Sequence, residues 1–120
     1  MNRLIPTVIF CSTIVGAVSA NVHAESDDAM IARGRSVAQR VCTACHVVSP
    51  DQEFAPILRK PAPRFDAIAN KPATSAESLR AFLTTTHRTI ANPDGMPNPQ
   101  LTDQQVEEVI RFILSLRDRK

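Results

Sequence analysis

The chain has 120 residues, with 14 basic against 12 acidic side chains and a formal net charge of +2. That balance excludes the strongly basic surface of a nucleic-acid binder, and the length bounds the fold to one small domain. Trp and Tyr are absent and Phe occurs 5 times, so the side chains offer little large, flat apolar area for a core.

In chain order, the first segment reads as a leader. Asn2 and Arg3 give a weakly basic start. Leu4 to Val18 is mostly apolar, with Ile5, Val8, Ile9, Phe10, Ile14 and Val15, and the small residues Ala17, Ser19, Ala20 and Ala24 follow. This is the layout of a secretory signal peptide. Cleavage fits after Ala20 or after Ala24, and Ala24 is favoured because the polar, acidic stretch Glu25-Ser26-Asp27-Asp28 follows it. The apolar run falls short of the ~20 residues of a spanning helix, which argues against an anchor. The expected division is therefore a cleaved signal peptide over 1–24 and a domain over 25–120, exported to the periplasm. Of the 3 cysteines, Cys11 leaves with the leader and Cys42 and Cys45 remain.

Residues 27 to 42 are expected to form a helix. Asp27 and Asp28 suit the positive end of its dipole. Met30, Gly34, Val37, Ala38 and Val41 recur on one face, with Arg33, Arg35 and Arg40 directed mostly to solvent. Gly34 costs a helix interior ~1 kcal/mol relative to Ala, and the expected compensation is the close approach of another backbone.

Cys42-Thr43-Ala44-Cys45-His46 follows, with the spacing C-x-x-C-H. Two thiols at this spacing can each add to one vinyl group of a haem, and the adjacent imidazole can ligate its iron. A four-cysteine zinc site lacks its other half. A thioredoxin-like pair would need a βαβ pattern, which is not visible. A disulfide closing so small a loop gains little. Haem attachment is thus the reading the residues favour, and export fits it, because haem is joined to cysteines outside the cytoplasm.

Residues 47 to 63 carry Pro50, Pro56, Pro61 and Pro63 without a period, which makes a loop. Pro56 has two readings. It shapes the loop, or it returns beneath the haem and offers its carbonyl to the Nδ1–H of His46, fixing the tautomer. A short helix is expected over 64–70 with Phe65, Ile68 and Ala69 inward, ending before Lys71-Pro72. Another begins near Thr74, where Thr74-Ser75-Ala76-Glu77 matches a capping box, and Leu79, Phe82, Leu83 and Thr86 follow at helical spacing.

The stretch from His87 to Leu101 resists regular structure. Pro93-Asp94-Gly95 is a turn, with proline presetting φ and glycine accepting positive φ. Met96 stands between that turn and Pro97, in a loop and off any periodic apolar face. The last helix is expected over 103–117. Thr102 and Gln105 form its capping box, Leu101 and Val106 a staple, and Val106, Val109, Ile110, Ile113 and Leu114 its apolar stripe. Its partner is the small-residue face at Gly34 and Ala38. An all-α domain results.

The second axial position of the iron has three candidates: Met96, His87 and Met30. Met30 falls on the packing face of the first helix. His87 would give a bis-His haem of low potential. Met96 is favoured, with His87 or an open position as alternatives. A thioether favours Fe(II) and raises the potential, and a filled site suits an electron carrier rather than a catalyst.

With these residues placed, the chain resembles the class I monohaem cytochromes c of the bacterial periplasm, over residues 27 to 118. The family's glycine, the position four later and the first haem cysteine correspond to Gly34, Ala38 and Cys42. Its Pro-x-Leu looks like Pro56-Ile57-Leu58, its methionine before proline like Met96-Pro97, and its C-terminal helix like Val109-Ile110-Arg111-Phe112-Ile113. Two departures stand out. Ala38 replaces a frequent aromatic, leaving Phe112 to fill the space between the terminal helices. The propionate-binding Trp or Tyr of many relatives is missing.

The resemblance implies the cytochrome c fold, with N- and C-terminal helices packed crosswise and one covalent haem c held by Cys42 and Cys45, with iron ligands His46 and Met96. It implies a one-electron carrier without a substrate of its own, a monomer or part of a redox complex. Its partners would be periplasmic or membrane-bound redox proteins, such as a dehydrogenase, an oxidase or a reductase. The alternatives are a permanent haem subunit of such an enzyme and a gas-binding or peroxidase-like haem protein. Arg40, Arg59, Lys60, Arg64 and Lys71 are candidates for the docking rim.

Overall fold

The computed structural model describes residues 25–58, 60 and 62–118. The expected signal peptide, Arg59 and Pro61 lie outside the described residues. The regular elements are helices: α1 (Asp27–Val41), α2 (Phe65–Ala69), α3 (Ala76–Leu83) and α4 (Asp103–Ser115). No strand occurs among the described residues.

Helix α1 starts at Ser26, whose hydroxyl accepts a hydrogen bond from the Ala29 N–H, with Asp27 and Asp28 in the first turn. Helix α4 starts at Thr102, where the expected capping box with Gln105 closes in both directions. These two terminal helices form the main contact, and α4 also packs against α2 and α3. A Cβ on Gly34 would lie 1.9 Å from the Glu108 carbonyl oxygen and 2.9 Å from Phe112 Cβ. Only hydrogen fits, and this is the backbone approach that offsets a mid-helix glycine.

Around that contact Val37, Ala38, Val106, Val109, Ile110, Phe112 and Ile113 are buried. Phe112 lies beside Gly34 and reaches Phe65 of α2, with ring centroids 6.3 Å apart. Phe65 in turn lies 5.3 Å from the His46 ring. An aromatic chain thus runs from the helix pair to the haem motif.

Several expectations are corrected. Helix α3 is capped by Ser75, paired reciprocally with Ser78, and not by Thr74 with Glu77. The Thr74 hydroxyl is engaged elsewhere, donating to the Ile68 carbonyl at the end of α2 (2.7 Å). The helix ends at Leu83, so Thr86 lies beyond it, and of the expected apolar face Leu79 and Leu83 are buried while Phe82 is 45% exposed. Val41 and Met30 do not join the core either: Val41 is exposed and Met30 is half-buried. Arg33 is not simply solvated. Its Nε donates to Glu108 Oε1 at 2.6 Å, and it also pairs with Glu25.

Glu108 is 3% exposed within the apolar stripe of α4. Arg33 from across the helix contact and Gln104 Nε2 (2.9 Å) satisfy its carboxylate. Hydrogen bonding to Arg33, above all, holds its carboxyl below the usual range.

Candidate haem site

The haem motif continues α1. Cys42 is the helix C-cap, its N–H bonded to the Ala38 carbonyl, and the N–H groups of Cys45 and His46 both return to the Cys42 carbonyl at 3.1 and 2.9 Å. One tight turn therefore carries both thiols and brings the imidazole directly after them. Both cysteines are free thiols. Burial, with a smaller contribution from neighbouring Cys45, pushes the Cys42 thiol up to about 11, so it keeps its proton at neutral pH.

His46 is 9% exposed, and its Nδ1 lies 2.7 Å from the Pro63 carbonyl oxygen. A carbonyl can only accept, so Nδ1 carries a proton, and in the neutral ring Nε2 is the nitrogen with the lone pair. The ring is thereby fixed in the tautomer that an iron ligand needs.

The acceptor corrects the expectation for Pro56. The loop meets the motif in register: the Ile57 N–H reaches the Ala44 carbonyl (3.1 Å), the Ala62 N–H that of Cys45 (2.9 Å) and the Phe65 N–H that of Val47 (3.0 Å). Pro56 precedes the first of these ties and lies opposite the middle of the motif. The peptide that faces His46 must come between Ala62 and Phe65, and that peptide belongs to Pro63. Four prolines in an aperiodic loop carry no mark of which one this pairing selects.

Met96 sits after the turn at Pro93 and Asp94, half-buried and packed against the core. That packing differs from the expectation of a methionine off the core face. Its carbonyl accepts from the His87 N–H at 2.8 Å, which closes the loop His87–Met96. The His87 ring stacks on Phe82, with centroids 3.8 Å apart and planes 14° apart, and its Nε2 lies 3.2 Å from the Phe82 carbonyl oxygen. Gly95 is needed for space and not for positive φ, which no described glycine adopts. A Cβ there would lie 1.9 Å from the His87 carbonyl oxygen. Among the residues expected at the docking rim, Arg64 pairs with Asp66 and Arg40 with the Ser36 hydroxyl, while Lys60 and Lys71 are exposed.

The residues fit a haem. Large apolar side chains surface on the segments flanking the motif and Met96: Phe54, Ile57 and Leu58 before Pro63, Val41 beside Cys42, and Phe82 and Ile90 around the methionine loop. Ile57 is 85% exposed and Ile90 fully so. Apolar side chains on these segments suit the apolar faces and edge of a porphyrin attached at the motif.

Helical packing, a two-thiol turn with an oriented imidazole and apolar side chains on the flanking loops define a monohaem c-type domain. The chain belongs to the cytochrome c family, whose model matches residues 31–117. It is 30% identical over 104 residues to cytochrome c-552 of Bradyrhizobium diazoefficiens, a match spanning 87% of this chain and 89% of that relative. No solved structure matches the chain. The cofactor is covalently bound haem c, and the activity of the family is haem-based electron transfer between redox proteins.

Proposed function

We propose that the chain is an exported, periplasmic electron carrier whose haem iron is held axially by His46 and Met96. The observation that carries the ligand assignment is the contrast between two loop residues. The His87 ring is occupied by Phe82 through stacking and through Nε2. Met96 is held by its backbone, its carbonyl taken by His87. Bound haem supplies a one-electron Fe(III)/Fe(II) couple. The residues of the chain set its character. His46 is a neutral donor strengthened by the Pro63 carbonyl, and the soft thioether of Met96 favours the reduced state. Apolar side chains from the flanking loops keep water from the ring. Two fixed ligands and no open position suit transfer of electrons without substrate chemistry.

The partners of this reading are periplasmic or membrane-bound dehydrogenases, oxidases or reductases, met through a small transient contact. Replacing Met96 with Ala tests the ligation. The ferric wild type should show the weak Met–iron charge-transfer band and the reduced form should resist carbon monoxide. Met96→Ala should lose the band and bind carbon monoxide readily. A wild type that binds the gas as well as the variant overturns the carrier reading. Cell fractionation with N-terminal sequencing tests export: the expected product is periplasmic and starts at Glu25. A haem protein that co-migrates persistently with an enzyme in gel filtration would instead be a subunit of that enzyme.

A further inference from the structure

The loop His87–Met96 is held by more than its closing bond. Asn92 Nδ2 donates to the His87 carbonyl at 3.1 Å, so the peptides flanking His87 are fastened on both sides, by Met96 on one and Asn92 on the other. The Asn92 backbone exchanges hydrogen bonds with Thr89, both 3.1 Å, and its carbonyl accepts from the Gly95 N–H at 3.1 Å. Gly95 presses against the same His87 carbonyl so closely that a Cβ would lie 2.7 Å from Asn92 Nδ2. Outside the loop, the His87 ring is stacked on Phe82 at the end of α3. Arg88 Nε also crosses the loop, to the Pro93 carbonyl at 2.8 Å, but the Asn92 carboxamide is the tie that lands on His87 itself, joining the outgoing segment at His87 to the returning segment that carries Met96.

We propose that Asn92 is the positioning residue for Met96, acting through the His87 carbonyl, and that it sets how readily the methionine leaves the iron. The proposal rests on the assignment of Met96 as the axial ligand. An outside ligand reaches the iron only in the fraction of molecules whose methionine has swung away, so its apparent affinity measures that fraction. Asn92→Asp keeps the shape and the backbone bonds, removes the donor and sets a carboxylate oxygen against the His87 carbonyl. Loss of one hydrogen bond with such a repulsion should enlarge the open fraction about tenfold.

The experiment titrates ferric holoprotein with imidazole and follows the Met–iron charge-transfer band. Asn92→Asp should bind imidazole about tenfold more tightly than wild type. Gly95→Ala, which forces a Cβ against the same carbonyl, should move affinity in the same direction. The matched control is Asn70→Asp, which removes an equivalent amide donor to the Asp66 carbonyl (3.0 Å) at the end of α2. It should leave the affinity unchanged. Equal imidazole affinity in Asn92→Asp and wild type, with the band present in both, overturns the positioning role and leaves the Met96 assignment standing. An equal gain in Asn70→Asp also overturns it, because general loosening would then explain the effect. A wild type without the band overturns the ligand assignment and the positioning role together.

Discussion

At the scale of single residues, His46 and His87 show how a hydrogen bond decides what an imidazole can do. His46 gives its Nδ1 proton to a backbone carbonyl and keeps Nε2 for a metal. His87 lies flat on Phe82 with Nε2 at a carbonyl, and its backbone N–H makes the contribution to Met96. His87→Ala should therefore keep the charge-transfer band and change the potential little, since the alanine N–H still bonds the Met96 carbonyl. A large rise in potential with loss of a low-spin bis-His spectrum would contradict this. The two-thiol turn before His46 was legible in the residue order because C-x-x-C-H is a local chemical pattern. The Pro63 carbonyl that meets His46 and the Asn92 carboxamide that meets the His87 carbonyl were not. Each acts through a contact made by loop pairing, and nothing in an aperiodic stretch records that register.

At the scale of elements, the contact of α1 with α4 carries two devices of different legibility. Gly34 was expected to meet a backbone, because a helix tolerates glycine at a cost only for a reason. Gly34→Ala should destabilise the holoprotein by about 3 kcal/mol, as overpacking a rigid contact does, seen as a lower urea midpoint with an unchanged m-value.

The second device is Glu108, which an apolar stripe gave no cause to expect inside. Arg33 reaches it across the helix contact. The Glu108 carboxyl is held below its usual value by hydrogen bonding to Arg33, with Gln104 assisting. A depressed acid binds fewer protons in the folded state, so its stabilisation is complete above the unfolded pKa and is lost as pH falls through the folded value. Denaturation midpoints should accordingly fall as pH drops below the ordinary carboxylate range, and Glu108→Gln should flatten that acidic part of the profile while lowering the midpoint at pH 7. A profile of unchanged slope in the variant would refute the contribution.

At the scale of the whole molecule, α4 is the hub. It packs on α1, α2 and α3, and just beyond its end Arg117 ties the α2 region down by donating to the carbonyls of Ala69 (2.9 Å) and Thr74 (2.8 Å). The core is small, and Phe54, Ile57, Phe82 and Ile90 remain at the surface of the polypeptide. Burying such side chains is worth about 1.5–3 kcal/mol each, a large share of the stability of a domain this size. Chain produced without haem attachment should thus lose cooperative unfolding and sharp side-chain dispersion in NMR spectra. A stable, cooperative apoprotein would show that the side chains suffice. Ile110→Ala, at a site 2% exposed, should cost about 3 kcal/mol.

The residue order by itself determined whatever depends on neighbours along the chain: the helical periods, the capping box at Thr102, the two-thiol turn before His46 and the family these define. Tertiary structure alone decided which carbonyl meets His46, why Glu108 is inside and how Met96 is held. Those outcomes depend on atoms many residues apart being brought within about 3 Å of one another. Local pattern specifies a helix face or a turn. It does not specify the register in which two loops, or two helices, finally meet.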